Sequence, residues 1–220
     1  MIKGVIFDLD GVVVTTDDCH YEAWKQMADE EGISFDKLIN SRLRGVSRME
    51  SLDIILEKAG KVYHLEEKSA LAEKKNKIYV SLIHQLDRSA ILPGALETIN
   101  ALRANGIKTA IGSSSKNAPT ILQRLEIGHL FDAVSDGNNI TRSKPAPDVF
   151  LIAAEKLGLL SAECLVVEDA DAGVQAAVAA GMKALAVGAA KKNPLAHLRA
   201  DSLDDIDLAA WIREENNKRL

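Results

Sequence analysis

Short blocks of apolar residues alternate with mixed segments along this chain of 220 residues and predict its elements. The first block, Val5-Ile6-Phe7, is a run of consecutive β-favouring residues, as in a parallel strand that is buried on both faces. Similar runs predict further strands over residues 107–112, 132–134, 164–167 and 183–187.

Between and after these strands, apolar residues recur at intervals of three and four, which is the spacing of an amphipathic helix. This spacing predicts helices over residues 95–105, 118–127, 147–158, 171–181 and 206–217. Regular alternation of strand and helix is typical of a parallel sheet that is covered by helices on both faces. The predicted fold class is therefore α/β, a doubly wound parallel sheet with a Rossmann-like core.

Residues 16–88 interrupt the alternation, because their pattern is helical throughout. We predict four helices here, near residues 19–31, 35–43, 47–59 and 66–86, and no strand. Trp24, Leu52 and Tyr79 are among the residues that this spacing places on inward faces. We therefore expect an α/β core domain formed by residues 1–15 and 89–220, with an all-helical domain of residues 16–88 inserted into it.

Composition and charge exclude several classes of protein. The net charge of −5 argues against a nucleic-acid-binding protein, which needs a basic face. No stretch approaches the ~20 apolar residues that span a bilayer, and the first residues lack the apolar segment of a signal peptide. Cys19 and Cys164 are the only cysteines, so no disulfide framework is indicated. We expect a cytoplasmic monomer without a nucleic-acid or membrane partner.

Two carboxylates, Asp8 and Asp10, follow the first predicted strand. Ligands bind beyond the carboxyl ends of strands in such sheets, and alternation puts both side chains on the same side of the chain. Their mutual repulsion is relieved by a proton or by a hard cation such as Mg²⁺. A carboxylate beside Mg²⁺ can attack phosphorus. On these residues alone, the alternative is an Asp-rich turn with both acids solvated.

Other predicted strand ends carry polar residues as well. Ser113 follows the strand at 107–112, Glu168 and Asp169 follow the strand at 164–167, and Lys144 lies between them in the chain. Taken singly, each has an ordinary explanation: Ser113 as a turn residue, Lys144 as a surface lysine, and Glu168-Asp169 as a helix cap. Together they suit phosphoryl transfer, in which cations neutralise the charge on the phosphate oxygens.

These residues resemble the four motifs of the haloacid dehalogenase superfamily. The matching segments are Asp8-Leu9-Asp10-Gly11-Val12, Ser113, Lys144-Pro145 and Glu168-Asp169. The helical insertion is similar to the cap domain of that superfamily. Within the superfamily, the chain most resembles the β-phosphoglucomutase family, in the segments His20, Trp24, 45–48, Ser51, Lys75-Asn76 and 113–117.

The resemblance implies roles for the core residues. Asp8 is expected to be the nucleophile and Asp10 the general acid/base. Mg²⁺ is expected to bind Asp8, the backbone carbonyl of Asp10, and Asp169, with Glu168 close by. Ser113 and Lys144 are expected to hold the transferring phosphoryl group.

The resemblance also implies roles for the insertion. Thr16 and His20 are expected to place Asp10 and to couple it to cap closure, with Lys75 as partner. The expected sugar- and phosphate-binding residues are Asp10, Trp24, Gly45, Val46, Ser47, Arg48, Ser51, Lys75, Ser115, Lys116 and Asn117. Without the resemblance, the sequence fits Trp24 as a helix-core residue, and Arg48 as a solvated residue, as well as it fits their binding roles. The family often has an acid before the position of Thr16, where this chain has Thr15.

The activity implied by the resemblance is interconversion of β-D-glucose 1-phosphate and D-glucose 6-phosphate through an aspartyl phosphate and a β-glucose 1,6-bisphosphate. The substrate would be a small hexose phosphate. One alternative is a Mg²⁺-dependent sugar-phosphate phosphatase on the same scaffold. An alternative of another class is a non-catalytic regulator that binds a phosphosugar or a metal.

Overall fold

The computed structural model describes residues 1–43 and 46–218. Its strands are β1 Gly4–Phe7, β2 Lys108–Gly112, β3 Ala133–Ser135, β4 Cys164–Glu168, β5 Lys183–Ala186 and β6 Leu198–Arg199. They form one sheet in the order β3-β2-β1-β4-β5-β6, and every neighbouring pair is parallel. The predicted doubly wound parallel sheet is confirmed.

The helices alternate with the strands as the apolar spacing predicts. They are α1 Asp17–Glu30, α2 Lys37–Ser41, α3 Arg48–Leu56, α4 Leu65–Ile83, α5 Ala95–Ala104, α6 Ala118–Arg124, α7 Asp148–Leu157, α8 Asp171–Ala179 and α9 Leu208–Asn217. Several predicted helices end earlier than expected; α4 stops at Ile83 and α6 at Arg124. Glu126 follows α6 with a φ of 57°, which cannot continue a right-handed helix.

Consecutive apolar residues of β1 serve opposite faces of the sheet. Phe7 packs in a cluster with residues of α5, α6 and α9, whereas Ile6 packs with residues of α7 and α8. Both side chains are fully buried. This explains why the strand reads as a continuous apolar run and not as an alternating one.

Helices α1 to α4 form a helical insertion, which we define as residues 16–83, from the N-cap residue of α1 to the end of α4, without the undescribed pair 44–45. Among its described residues there is no strand. Part of it has its own apolar cluster, which includes Trp24, Met27, Leu52, Ile55 and Leu71. Tyr79 and Ile83 instead join the cluster of the sheet, so α4 connects the insertion to the core.

The two ends of the insertion leave the core side by side. Val14 and Ile91 form an isolated antiparallel bridge, and Thr15 N–H donates to the carbonyl of Ala90 at 2.8 Å. The two segments that connect the core to the insertion are therefore paired with each other. No helix in the described part of the chain is both long and apolar enough to cross a membrane.

Candidate active site

Three adjacent strands bring polar side chains to one edge of the sheet. In the register of β1, Phe7 lies opposite Ile111 of β2 on one side and Val167 of β4 on the other. Asp8 therefore emerges beside the end of β2, which Ser113 follows, and beside Glu168 at the end of β4. The strand order reverses at β1, and open α/β sheets bind their ligands at such a point.

Lys144 joins two of the acids at this edge. Its Nζ donates to Asp8 Oδ1 at 2.5 Å and also to Glu168 Oε1. All three side chains are buried. Burial opposes the lysine charge, but the charges of Asp8 and Glu168 outweigh that effect and hold the pKa of Lys144 above its ordinary value. Buried charges persist when they are paired, and here one ammonium group serves two carboxyl groups.

Both carboxyl oxygens of Glu168 have protein partners. Oε1 accepts from Lys144, and Oε2 accepts the backbone N–H of Ala170 at 3.0 Å. A Cβ atom at Gly173 would lie 1.8 Å from Oε1, so α8 can approach this carboxyl group only with glycine there. Burial raises the pKa of Glu168. Glu168 thus fixes the position of the Lys144 ammonium group that also contacts Asp8.

Asp169 lies against the turn that follows β1. A Cβ atom at Gly11 would lie 2.1 Å from Asp169 Oδ2, and Gly11 has a φ of +83°. Burial, followed by the charges of Asp8 and Glu168, raises the pKa of Asp169 to about 8. The carboxyl groups therefore repel one another in the way that a cation between them would relieve.

The oxygen donors at this edge of the sheet are of the type that Mg²⁺ binds. Among the described residues, no three His, Cys, Asp or Glu side chains are arranged so that they alone could hold a metal ion. Mg²⁺ usually takes only one or two carboxylates and completes its shell with water and substrate phosphate. Asp8 and Asp169, together with a backbone carbonyl such as that of Asp10, are compatible with that coordination. Glu168 has other partners for both of its oxygens.

Asp10 is hydrogen-bonded to the first residues of the insertion. Thr16 Oγ1 donates to Asp10 Oδ1, and the Tyr79 hydroxyl donates to Thr16 Oγ1 at 3.1 Å. Burial raises the pKa of Asp10 to about 7; the Thr16 hydrogen bond opposes the shift and the charge of Asp8 adds to it. A carboxyl group with a pKa near neutrality can both take up and return a proton.

A basic and aromatic cluster lies next to this chain of hydrogen bonds. Lys75 Nζ is 2.8 Å from His20 Nδ1, and it lies 4.8 Å from the ring centroid of Trp24 and 4.6 Å from that of Tyr79. Burial, followed by the charge of Arg48, lowers the pKa of Lys75 to about 7. Burial lowers the pKa of His20 as well, so its imidazole is neutral. The predicted insertion residues thus gather beside Asp10.

The segment after β2 is held by its own side chains. Ser113 Oγ accepts the backbone N–H of Ser115 at 3.1 Å, and Ser115 Oγ accepts that of Asn117 at 3.2 Å. The Asn117 amide donates to Asn76 Oδ1 of α4 at 3.0 Å. The Lys116 side chain is exposed. Core and insertion therefore touch across this segment through two asparagines.

The remaining predicted substrate residues lie around the start of α3. Ser47 caps this helix, Arg48 is its first residue, and Ser51 is buried one turn later. Val46 is 39% exposed. Gly45 lies outside the described residues. Arg48 is close enough to the Lys75 cluster to affect its pKa, and burial lowers the pKa of Arg48 itself.

Tyr79 is the part of the site that sequence reasoning missed. Helical spacing predicts it only as an inward-facing residue. Lys75 and Tyr79 are four residues apart, so they lie on the same face of α4, and this spacing was the available signal. Its contact with Thr16, which lies 63 positions away, depends on the packing of α4 against α1.

Comparisons with known proteins agree with this geometry. A family model described as haloacid dehalogenase-like hydrolase matches residues 2–181. A β-phosphoglucomutase of Bacillus subtilis (strain 168) is 42% identical over 221 residues, which cover 100% of this chain and 98% of that protein. A fructose-1-phosphate phosphatase of Escherichia coli (strain K12) is 34% identical over 186 residues, which cover 84% of this chain and 95% of that protein.

Solved structures give the same result. The crystal structure of a β-phosphoglucomutase from Clostridium difficile matches with a TM-score of 0.90 and 40% sequence identity, covering 100% of this chain and 99% of that chain. The likeness includes the helical insertion as well as the sheet, because it extends over the whole chain. The family match covers most of the chain, and its motif residues lie at the reversal point of the sheet; the chain belongs to the haloacid dehalogenase-like hydrolases.

Proposed function

We propose that this chain is an isomerase that interconverts β-D-glucose 1-phosphate and D-glucose 6-phosphate by intramolecular phosphoryl transfer. The observation that carries the proposal is the placement of Asp10 between the nucleophile candidate Asp8 and the insertion residues Thr16, His20 and Lys75. Whole-chain similarity to β-phosphoglucomutases of two bacteria supports the same activity.

The reaction begins with Asp8 phosphorylated. The oxygen of the sugar 6-hydroxyl attacks the phosphorus, the bond from Asp8 oxygen to phosphorus breaks, and the Asp10 carboxylate takes the hydroxyl proton. The product is β-glucose 1,6-bisphosphate, with Asp8 again a free carboxylate. A raised pKa for Asp10, about 7, suits this proton transfer.

The bisphosphate then turns end for end in the site. Asp8 attacks the phosphorus of the 1-phosphate, the bond from phosphorus to the C1 oxygen breaks, and protonated Asp10 returns its proton to that oxygen. Glucose 6-phosphate leaves, and Asp8 is phosphorylated once more. Each cycle therefore conserves both the phosphoryl group and the proton.

Cationic and polar groups stabilise the transferring phosphoryl. Lys144 holds Asp8 and is placed to neutralise charge on the phosphoryl oxygens, with Ser113 from the neighbouring strand end. We propose that Asp8, Asp169 and the backbone carbonyl of Asp10 hold Mg²⁺, with Glu168 behind them. When bound, Mg²⁺ supplies charge neutralisation between nucleophile and phosphate.

We propose that residues 16–88 are a cap domain that closes over the sugar. Water competes with the sugar hydroxyl for the acyl phosphate, so a mutase needs to exclude it. The residues proposed to bind sugar and the distal phosphate are Trp24, Gly45, Val46, Ser47, Arg48, Ser51, Lys75, Ser115, Lys116 and Asn117. Arg48 suits a phosphate because its guanidinium can donate two parallel hydrogen bonds.

We further propose that the protein works as a monomer in the cytoplasm on a small phosphosugar. Both cysteines are free thiols, which agrees with a reducing compartment. The net charge of −5 is consistent with a phosphosugar held by local cations and not by the overall field of the protein.

The product of the reaction separates the mutase from its rivals. The protein is incubated with β-glucose 1-phosphate, Mg²⁺ and a trace of β-glucose 1,6-bisphosphate, and both glucose 6-phosphate and inorganic phosphate are measured. We expect glucose 6-phosphate. Inorganic phosphate without glucose 6-phosphate would establish the phosphatase, which similarity to a fructose-1-phosphate phosphatase makes the main rival. No turnover at all would favour a binding protein.

Substitution of the two aspartates tests their roles. Asp8→Asn removes the nucleophile and should abolish turnover. Asp10→Ala should lower the rate at least ~10²-fold, which is the usual scale for a lost general acid/base. Asp29→Asn, on the exposed face of α1, is the matched control and should retain full activity. Full turnover by Asp8→Asn would contradict the assignment.

A further inference from the structure

Tyr79 is buried at the junction of core and insertion. Its side chain is 1% exposed, and it belongs to the apolar cluster of the sheet although it lies on α4. Its ring stacks on His20 with centroids 4.2 Å apart. Its hydroxyl donates to Thr16 Oγ1 at 3.1 Å. The buried Tyr79 hydroxyl therefore has a specific hydrogen-bond partner outside α4, the hydroxyl of Thr16.

The charge on Asp10 fixes the direction of these hydrogen bonds. When Asp10 is the ionised base that takes the sugar proton, its carboxylate only accepts, so Thr16 donates its one hydroxyl proton to Asp10. Thr16 can then only accept from Tyr79, and Tyr79 is the donor. Burial, with the charge of Asp10, raises the pKa of Tyr79, so its proton stays in place.

We propose that Tyr79 is a positioning residue for the transfer reaction. Its hydroxyl occupies an acceptor site of Thr16 and thereby directs the Thr16 proton at the Asp10 carboxylate, which fixes the orientation of that carboxylate. This inference rests on the proposed function, in which Asp10 moves the proton. Without the phenol hydroxyl, the Thr16 hydroxyl is free to rotate toward another acceptor, and Asp10 loses its fixed donor. Small misplacements of a reacting group lower the rate strongly.

Tyr79 also connects the alignment of Asp10 to the helical insertion. Thr16 lies at the start of α1 and Tyr79 near the end of α4, so the chain of hydrogen bonds crosses from one helix to the other. Asp10 is therefore held in this orientation only while α4 is packed in place.

The test is Tyr79→Phe, which keeps the ring stacked on His20 and beneath Lys75 and removes only the hydroxyl. We expect kcat on β-glucose 1-phosphate to fall about tenfold, part of the 10²–10⁴ range for general acid/base catalysis, with KM changed less than about twofold. Glucose 6-phosphate and inorganic phosphate are both measured, because Asp10 serves either reaction.

Tyr63→Phe is the matched control. The Tyr63 hydroxyl donates to Glu31 at 3.1 Å, also within the insertion, so the same atom and the same kind of bond are lost away from Asp10. We expect its kcat to equal that of the wild type. An equal loss in both variants would overturn the proposal, because the effect would then be general to the insertion.

Thr16→Val shows whether Tyr79 acts through Thr16. Valine keeps the shape of threonine, and Thr16 makes no side-chain hydrogen bond as the cap of α1. In this background, Tyr79→Phe should lower kcat by less than about twofold. A tenfold loss there, or an unchanged kcat in Tyr79→Phe alone, overturns the inference on Tyr79. Phosphate release by the wild type contradicts the proposed mutase but leaves this comparison valid; no turnover contradicts both.

Discussion

Lys144 shows how strongly one residue can control the charge of the site. It is the cation between Asp8 and Glu168, and all three side chains are buried. In Lys144→Met, the carboxyl groups of Asp8 and Glu168 lose their cationic partner at a buried position of low dielectric constant. We predict that the free energy of unfolding falls by about 3–5 kcal/mol without added divalent cation, as measured by urea denaturation.

The control for this prediction is Lys191→Met. Lys191 also contacts a carboxylate, that of Asp201 at 2.7 Å, but this pair is exposed. Such pairs contribute less than about 1 kcal/mol. Similar losses in the two variants would show that burial of Lys144 between acids does not matter for stability.

Lys75 predicts a dependence of stability on pH. Burial, followed by the charge of Arg48, lowers its pKa from 10.5 to about 7. Between those values the unfolded chain holds a proton on Lys75 that the folded chain lacks, so stability rises with pH. The slope from this residue is at most about 1.4 kcal/mol per pH unit. Urea denaturation at pH 7 and at pH 9 measures it.

The matched pair is Lys75→Met and Lys74→Met, at adjacent positions of α4. Lys74 pairs with Glu30, which raises its pKa, so it releases no proton in this window. We expect the pH-dependent gain in stability to be reduced in Lys75→Met and retained in Lys74→Met. If Lys75→Met keeps the full slope, Lys75 is charged in the folded protein at neutral pH.

At the scale of elements, the turn after β1 depends on glycine. Gly11 has a φ of +83°, and a Cβ atom there would meet Asp169 Oδ2 at 2.1 Å. We predict that Gly11→Ala displaces Asp169 and lowers kcat by about 10²-fold or more, which is the cost of misplacing groups by about 1 Å. Steady-state kinetics with β-glucose 1-phosphate measures the loss.

Gly106→Ala separates this contact from backbone strain. Gly106 has a φ of +72°, but nothing lies within 4 Å of the position of its Cβ atom. We expect a loss of about 1 kcal/mol in stability with unchanged kcat. If Gly11→Ala behaved in the same way, the approach of Asp169 to the turn would have no catalytic importance.

The elements themselves could be predicted where apolar patterns are long. Val5-Ile6-Phe7 marks β1 because both faces of the strand are covered, and β2, β4 and β5 follow the same rule. β6 has only two residues, Leu198 and Arg199, and forms by pairing with β5, so no run of apolar residues signals it. Helix ends were less predictable, because local backbone geometry such as that of Glu126 decides them.

The candidate site likewise has a part that the sequence predicts and a part that it does not. Asp8, Ser113 and Glu168 follow from the sequence because strand ends of one parallel sheet meet at one edge. The hydrogen bonds from Tyr79 to Thr16 and from Asn117 to Asn76 do not, because they join segments whose packing no local pattern specifies. Sequence therefore predicts the polar residues at the edge of the sheet, and tertiary structure adds the hydrogen bonds that join distant segments of the site.

At the scale of the whole molecule, the core carries the residues proposed for phosphoryl transfer, and the insertion carries the residues that hydrogen-bond to Asp10. The two parts are connected through the Val14–Ile91 bridge, and α4 contacts both. Asp10 lies where they meet, since its turn belongs to the core and its hydrogen-bond donor to the insertion. This arrangement suits a reaction in which proton transfer has to coincide with exclusion of water.

The most direct test of this account follows the phosphoryl group through a single turnover. Enzyme carrying an unlabelled phosphoryl group on Asp8 is mixed with β-glucose 1-phosphate labelled with ³²P, and the products are separated after an acid quench. The account predicts unlabelled glucose 6-phosphate and label on Asp8, because the enzyme gives one phosphoryl group and takes another. Labelled glucose 6-phosphate in that first turnover, or labelled inorganic phosphate in its place, would contradict it.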